Sequence, residues 1–215
     1  MVAHDLHPYD VVAAFERRVA EYAGARFGVA VNSCTNALLL SFALRFFQQW
    51  PGGMKVVSLP RYTYVGVAYS VLNAGGVCTF RDDDWEGAYI CEPFDIVDSA
   101  RRFREGMYHG GLHCLSFHWY KHLPIGRGGM ILTDSREDAE TLRVMRFDGR
   151  TAGVQPKHDE FCLPGYHCYM IPEDAARGLM LMGNVKPWNK DLPWGPGTNS
   201  DYADLSEFPI FQEGY

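Results

Sequence analysis

The stretch "KVVSLPRYTYVGVAYSVLNAGGVCTF" (Lys55 to Phe80) reads as strand, helix, strand. "KVVSLP" is a short apolar run. "YVGVAYSVLNAGG" has the length of a helix and ends at glycine, where a C-terminal cap belongs. "VCTF" is a second short apolar run that leads into the acidic "RDDD". The same alternation continues on both sides. Asp10 is placed to cap a helix through "VVAAFERRVAEYAG", with Val11, Val12, Phe15, Val19 and Tyr22 as its apolar stripe and Gly24 at its end. "FGVAVNS" follows as a strand and "CTNALLLSFALRFF" as a helix, with Ser33 or Asn32 at the junction as cap. Further on, "FDIVDSA", "HCLSF" and "GGMILTD" are buried strands. The helix "REDAETLRVMRF" comes next, and its charged face leaves Ala139, Leu142 and Met145 to pack. Strands interleaved with helices predict an α/β domain built on a mostly parallel sheet flanked by helices.

The 215 residues are 47% hydrophobic and 21% charged, which suits a globular chain that buries a real core. A net charge of -6 without any basic run argues against nucleic-acid binding. No apolar run approaches membrane-spanning length, and "MVAHDLHPYD" lacks a basic-then-apolar signal pattern, so a cytoplasmic protein that does not engage membranes is expected. The six cysteines contain no C-x-x-C pair and lie mostly in apolar runs, as free thiols in a reducing compartment would. His158, Cys162, His167 and Cys168 crowd together in "KHDEFCLPGYHC". Their spacing fits no familiar zinc pattern, and no metal site is expected. Composition changes after Met182. Residues 1–182 read as the α/β domain, and 183–215 as an extended tail rich in Pro, Gly and aromatics. Its Trp188, Trp194, Phe208, Ile210 and Phe211 call for cover from the tail's own domain or from a partner subunit.

In open α/β sheets, ligands bind beyond the carboxyl ends of the strands, and those ends carry a consistent set of residues. After "FGVAV" come Asn32, Ser33, Cys34 and Thr35 at a helix start, where free N–H groups and the positive dipole end suit a phosphate; a plain N-cap explains them equally well. After "VVSLP" come Tyr62, Thr63 and Tyr64, able to stack on a flat ring or simply to pack. Asp98 ends a buried strand and needs a cation or good hydrogen bonds, which Arg101 or Arg102 could supply. After "HCLSF" comes Lys121, which alone would be an ordinary surface cation. Together these make a phosphate seat, an aromatic plate, an anion and an amine at one rim. Those are the needs of pyridoxal 5'-phosphate (PLP), with the lysine forming the Schiff base and the aspartate pairing with the protonated pyridine nitrogen.

From about Phe15 to about Leu181 the chain resembles the DegT/StrS-type sugar aminotransferases, members of the aspartate-aminotransferase group (fold type I) of PLP enzymes. "FERRVAEYAGARFGVAVNSCTNALLLSFAL" resembles the family's opening helix, strand and phosphate-binding turn, with Cys34 in place of the usual glycine and Thr35 retained. "LPRYTYVGVAYSVLNAGG" is similar to the segment whose aromatic stacks on the cofactor, which implies Tyr64. "DIVDSAR" implies Asp98 as the pyridine-pairing acid, with Arg101 where a glutamine or histidine is usual. "SFHWYKHLPIGRGGMILT" is the most specific match and implies Ser116 at the phosphate and Lys121 as the cofactor-bearing lysine. "PGYHCYM" places His167 where the family has an asparagine that reaches the neighbouring subunit's phosphate.

The resemblance implies a PLP-dependent aminotransferase of the fold type I large-domain kind. It would move an amino group from an amino acid, glutamate being the expected donor, to a keto-sugar that is expected to be nucleotide-linked. It also implies a homodimer with shared active sites. There are departures. A full family member is about twice this long, so the C-terminal small domain is expected to be missing, unless another polypeptide supplies it. Only "WEGAYICEPF" stands where relatives fit an additional helix and strand, and Cys168-Tyr169 replace an arginine expected to hold the donor's carboxylate. Two alternatives therefore stand: a shortened paralogue that binds PLP or a sugar nucleotide without turnover, and a PLP enzyme acting on a different acceptor. Lys121 argues against the family's dehydratases, which lack that lysine.

Overall fold

The computed structural model describes residues 7–49, 53–193 and 202–212. Trp194 lies outside them. The apolar stripe expected after residue 10 forms helix α1 (Asp10–Ala23). Asp10 is its first helical residue and not its cap: Tyr9 holds the cap position, while the Asp10 carboxylate accepts from the His7 N–H at 2.9 Å. Gly24 closes α1 at φ +85°, a left-handed conformation that glycine adopts without strain. Next come β1 (Phe27–Val31), α2 (Cys34–Gln49), β2 (Val56–Pro60), α3 (Val65–Asn73) and β3 (Val77–Arg81). Ser33 caps α2, its Oγ accepting from the Asn36 N–H at 3.1 Å, while Asn32 holds the Asn36 side chain. The later elements are β4 (Tyr89–Cys91), β5 (Ile96–Asp98), β6 (Leu112–Ser116), β7 (Gly129–Thr133), α4 (Arg136–Met145), α5 (Pro172–Met182) and the short α6 (Pro209–Gln212).

Five strands form one sheet in the order β1-β7-β6-β5-β4, and β2 and β3 form a parallel pair. A single bridge between Ser58 and Glu92 joins the two, through N–H···O bonds of 2.7 and 3.2 Å, into one layer. The α/β class holds, but the sheet is mixed where a mostly parallel one was expected. β7 runs antiparallel to both β1 and β6, and β4 antiparallel to β5; only β5–β6 and β2–β3 are parallel. The tight turn at 92–95 makes β4 and β5 antiparallel. The connections after β5 and β6 are both long and free of helix, yet one returns its strand parallel and the other antiparallel, so the connection does not by itself set the direction of β7.

Both faces of the sheet are buried at β1, β7, β6 and β5, so those strands read as continuous apolar runs and not as alternating ones. Successive residues still point to opposite faces. Val29, Val31, Cys114 and Ile131 pack in one core, which also holds the apolar sides of α2, α3 and α4. Ala30, Leu115, Met130 and Leu132 pack in the other, under α1 and α5. Ala139, Leu142 and Met145 of α4 are fully buried, as their spacing predicts. Glu16 ties α1 to this frame. Its buried carboxylate accepts from the Ala30 N–H at 2.9 Å and pairs with Arg143 and Arg146. The described parts of the C-terminal segment also lie on the sheet layer. Asp191 pairs with Arg102 and Asp204 with Arg61, and Leu205 and Phe211 are buried, whereas Trp188 and Phe208 are exposed.

Candidate active site

Strand direction collects the site. Val31 at the carboxyl end of β1 and Ser116 at the carboxyl end of β6 both pair with Gly129, the first residue of antiparallel β7. One strand over, Asp98 ends β5 opposite Cys114. The start of α2, the end of β5 and the β6–β7 loop therefore meet around one cavity of about 340 Å³. That volume lies in the range of roughly 300–1,000 Å³ usual for small-molecule sites. Two glycines make the approach possible. A Cβ on Gly129 would lie 2.6 Å from the Cys34 nitrogen and 2.7 Å from the Ser33 oxygen, and a Cβ on Gly66 would lie 3.0 Å from Thr35 Oγ1 and 2.6 Å from the Tyr64 ring.

Asp98 is buried, with each carboxylate oxygen engaged. Oδ1 accepts from the Ala100 N–H at 2.9 Å, and Oδ2 from the Tyr89 hydroxyl at 3.1 Å. Burial pushes its pKa above the usual carboxylate value, against the pull of these donors and of Lys121 and Arg101. Lys121 is also buried, its Nζ 4.5 Å from the centre of the Tyr120 ring. Burial lowers its pKa, and the Arg101 charge lowers it further, while Asp98 and Cys34 pull the other way. Burial raises the Cys34 thiol well above its ordinary value, so it stays protonated. Arg101 donates to the Tyr202 hydroxyl at 2.8 Å, and Arg102 turns away to Asp191.

Of the residues singled out in the sequence, Cys34, Thr35, Tyr64, Asp98, Arg101, Ser116 and Lys121 all line this cavity. His167 does not. It stands in an exposed position, its Nδ1 3.0 Å from the Asp148 carboxylate. Ser33 and Thr63, from the same strand ends, line the cavity too, and the structure adds Trp85, His118, Tyr120 and Tyr202 to its wall and Tyr89 beneath it. Tyr120 adjoins Lys121 in the chain and could have been inferred from that. Trp85 and Tyr89 belong to a three-residue strand and its approach, too short for a period, and Tyr202 arrives from far along the chain.

Residues 3–93 and 105–191 match the family model "DegT/DnrJ/EryC1/StrS aminotransferase family". The chain belongs to this family. Among curated relatives it is 26% identical to the spore coat polysaccharide biosynthesis protein SpsC of Bacillus subtilis, over 83% of this chain and 58% of that protein. AtS13 from Actinomadura melliaura superposes with a TM-score of 0.71 at 22% identity, over 81% of this chain and 60% of the other. A GDP-4-keto-6-deoxymannose-3-dehydratase carrying a trapped PLP-glutamate geminal diamine superposes at 0.66 with 18% identity, over 81% and 61%. At these identities the superpositions show the shared fold. The chain spans about three fifths of the length of each of these three proteins.

The cavity of this family member suits PLP, which the dehydratase just described carries as its glutamate adduct. It offers a buried amine, a buried carboxylate held at both oxygens, and a capped helix start that Gly129 lets lie close against the sheet. Tyr64 supplies an aromatic face at the same wall.

Proposed function

We propose that the protein is a PLP-dependent aminotransferase that takes an amino group from an amino acid, with glutamate as donor, and delivers it to a nucleotide-linked keto-sugar. One observation carries this: Lys121 and Asp98, both buried, face a single cavity beside the start of α2. When bound, PLP supplies an electron sink that stabilises negative charge at a substrate carbon. Lys121 would hold the cofactor and, once free, move the proton at the substrate's Cα. Its depressed pKa leaves the amine more readily neutral and so able to accept that proton. Asp98 would face the pyridine nitrogen and keep a proton on it. Thr35, Ser116 and the first N–H groups of α2 would take the phosphate, with Tyr64 against the ring and Cys34 and Arg101 beside them. Burial behind Trp85 and Tyr202 would keep water from the reacting atoms.

His167 has no place in its own chain's cavity, and its exposed position suits a reach into a neighbouring subunit's site. The functional unit in this reading is therefore a homodimer with shared sites. Among the described residues no helix is long and apolar enough to span a bilayer. With all six cysteines free, a reducing cytoplasm suits it.

Purified protein incubated with PLP should turn yellow, and borohydride should fix the cofactor to the peptide containing Lys121. Lys121→Ala should abolish the adduct, and Asp98→Ala should weaken binding. Bleaching by glutamate marks a working transaminase, and a colour that glutamate leaves unchanged marks a binder without turnover. Colour and a covalent adduct that persist in Lys121→Ala would overturn the assignment.

A further inference from the structure

Tyr89 and Asp98 stand directly opposite each other in the antiparallel β4–β5 ladder, so their side chains leave the same face. The Tyr89 hydroxyl donates to Asp98 Oδ2 at 3.1 Å and lies 2.6 Å from Thr63 Oγ1. A phenol has one proton. With that proton on the carboxylate, the Thr63 hydroxyl must donate to the phenol oxygen. The Tyr89 ring is fixed by Trp85, whose centroid is 4.7 Å away and whose Nε1 donates to the Tyr62 carbonyl at 3.0 Å. A buried tyrosine that needed only a partner could use any carbonyl. This one takes the carboxylate that walls the cavity, and the threonine behind it lines the same cavity.

We propose that Tyr89, oriented by Thr63, is a positioning residue that keeps Asp98 ionised and aimed at the cavity, where it can pair with the PLP ring nitrogen. This rests on the reading of the cavity as a PLP site. Burial favours the neutral acid, and a neutral acid cannot hold a proton on the ring. The groups that oppose burial are the Ala100 N–H, the Tyr89 hydroxyl and the two cations, Lys121 and Arg101. The remaining titratable neighbours are the thiols of Cys34, Cys91 and Cys114, which burial keeps protonated. The hydroxyl is thus one of few supports, and the compact "WEGAYICEPF" connection delivers it.

Tyr89→Phe keeps the ring and its packing on Trp85 and removes only the hydroxyl. PLP affinity, read by absorbance titration across the acid-to-neutral range, should fall roughly tenfold at neutral pH, as expected for a lost hydrogen bond to a charged group. The acid limb of that affinity should move up by about one pH unit. Thr63→Val, which leaves Tyr89 in place, should move the limb the same way by less, and it decides the matter if Tyr89→Phe does not fold. An unmoved limb in the folded variant overturns the proposal. A wild-type protein that binds no PLP overturns the underlying reading instead.

Discussion

Lys121 is a primary amine held almost out of water, in a cavity it shares with the Arg101 guanidinium and the Asp98 carboxylate. Burial and Arg101 penalise its protonated form, so its pKa falls below the ordinary lysine value. The neutral amine is the nucleophile. Trace acetylation of the apoprotein, read by peptide mass spectrometry, should therefore show Lys121 reactivity rising with pH through a midpoint below 10.5. Arg101→Gln should raise the midpoint, and Asp98→Asn should lower it further. A midpoint at or above 10.5 would mean that the amine is solvated and the cavity misread. Lys121 and Asp98 were legible in the sequence because Asp98 closes one buried apolar run and Lys121 stands in the loop just beyond another, which puts both at the sheet's rim. Tyr89 was not: it depends on which residue stands across the β4–β5 ladder, and three-residue strands carry no pattern that fixes a register.

Between elements, the tightest constraint on the site is where β7 meets the first turn of α2. Gly129 pairs with both Val31 and Ser116, and a Cβ there would strike the backbone of Ser33 and Cys34, which cannot swing aside as a side chain would. Gly129→Ala should therefore push the helix start away from the sheet. Urea denaturation should show a loss of about 1–3 kcal/mol, the usual range for overpacking, accompanied by weaker PLP binding. Full stability with weakened binding would show that the helix start shifts freely, and full stability with full binding would remove the cradle from the account. The double glycine was visible in "IGRGG", but its cause was not, because it depends on β7 running antiparallel to its neighbours in a sheet expected to be mostly parallel. Apolar runs reveal that a strand is buried, not which way it runs, and the helix-free connections after β5 and β6 return their strands in opposite senses. α1 and α4 were legible because their stripes repeat over several turns. The buried Glu16 was not, since a carboxylate on a helix reads as a solvated residue until the arginines that meet it are known.

For the molecule as a whole, the cavity opens beside large aromatic side chains that are exposed. Tyr64 at the wall is 55% exposed, Tyr120 47% and Trp119 in the Lys121 loop 69%. Exposed aromatics clustered at a rim mark an interaction surface, and a second copy of the chain is the occupant in the homodimer proposed above. A symmetric pair would bring each copy's rim against the other and close both cavities at once. Sedimentation or light scattering should then give a mass about twice the 24.3 kDa of the chain. Trp119→Glu places a charge in the proposed contact without touching Lys121 or Asp98, so it should shift the population to monomer and weaken PLP retention together. His167→Ala should weaken retention while leaving the mass unchanged, because it removes a reach across the interface and not the interface itself. A wild-type monomer that holds PLP stoichiometrically would show that one chain completes the site alone, and His167 would then need another role.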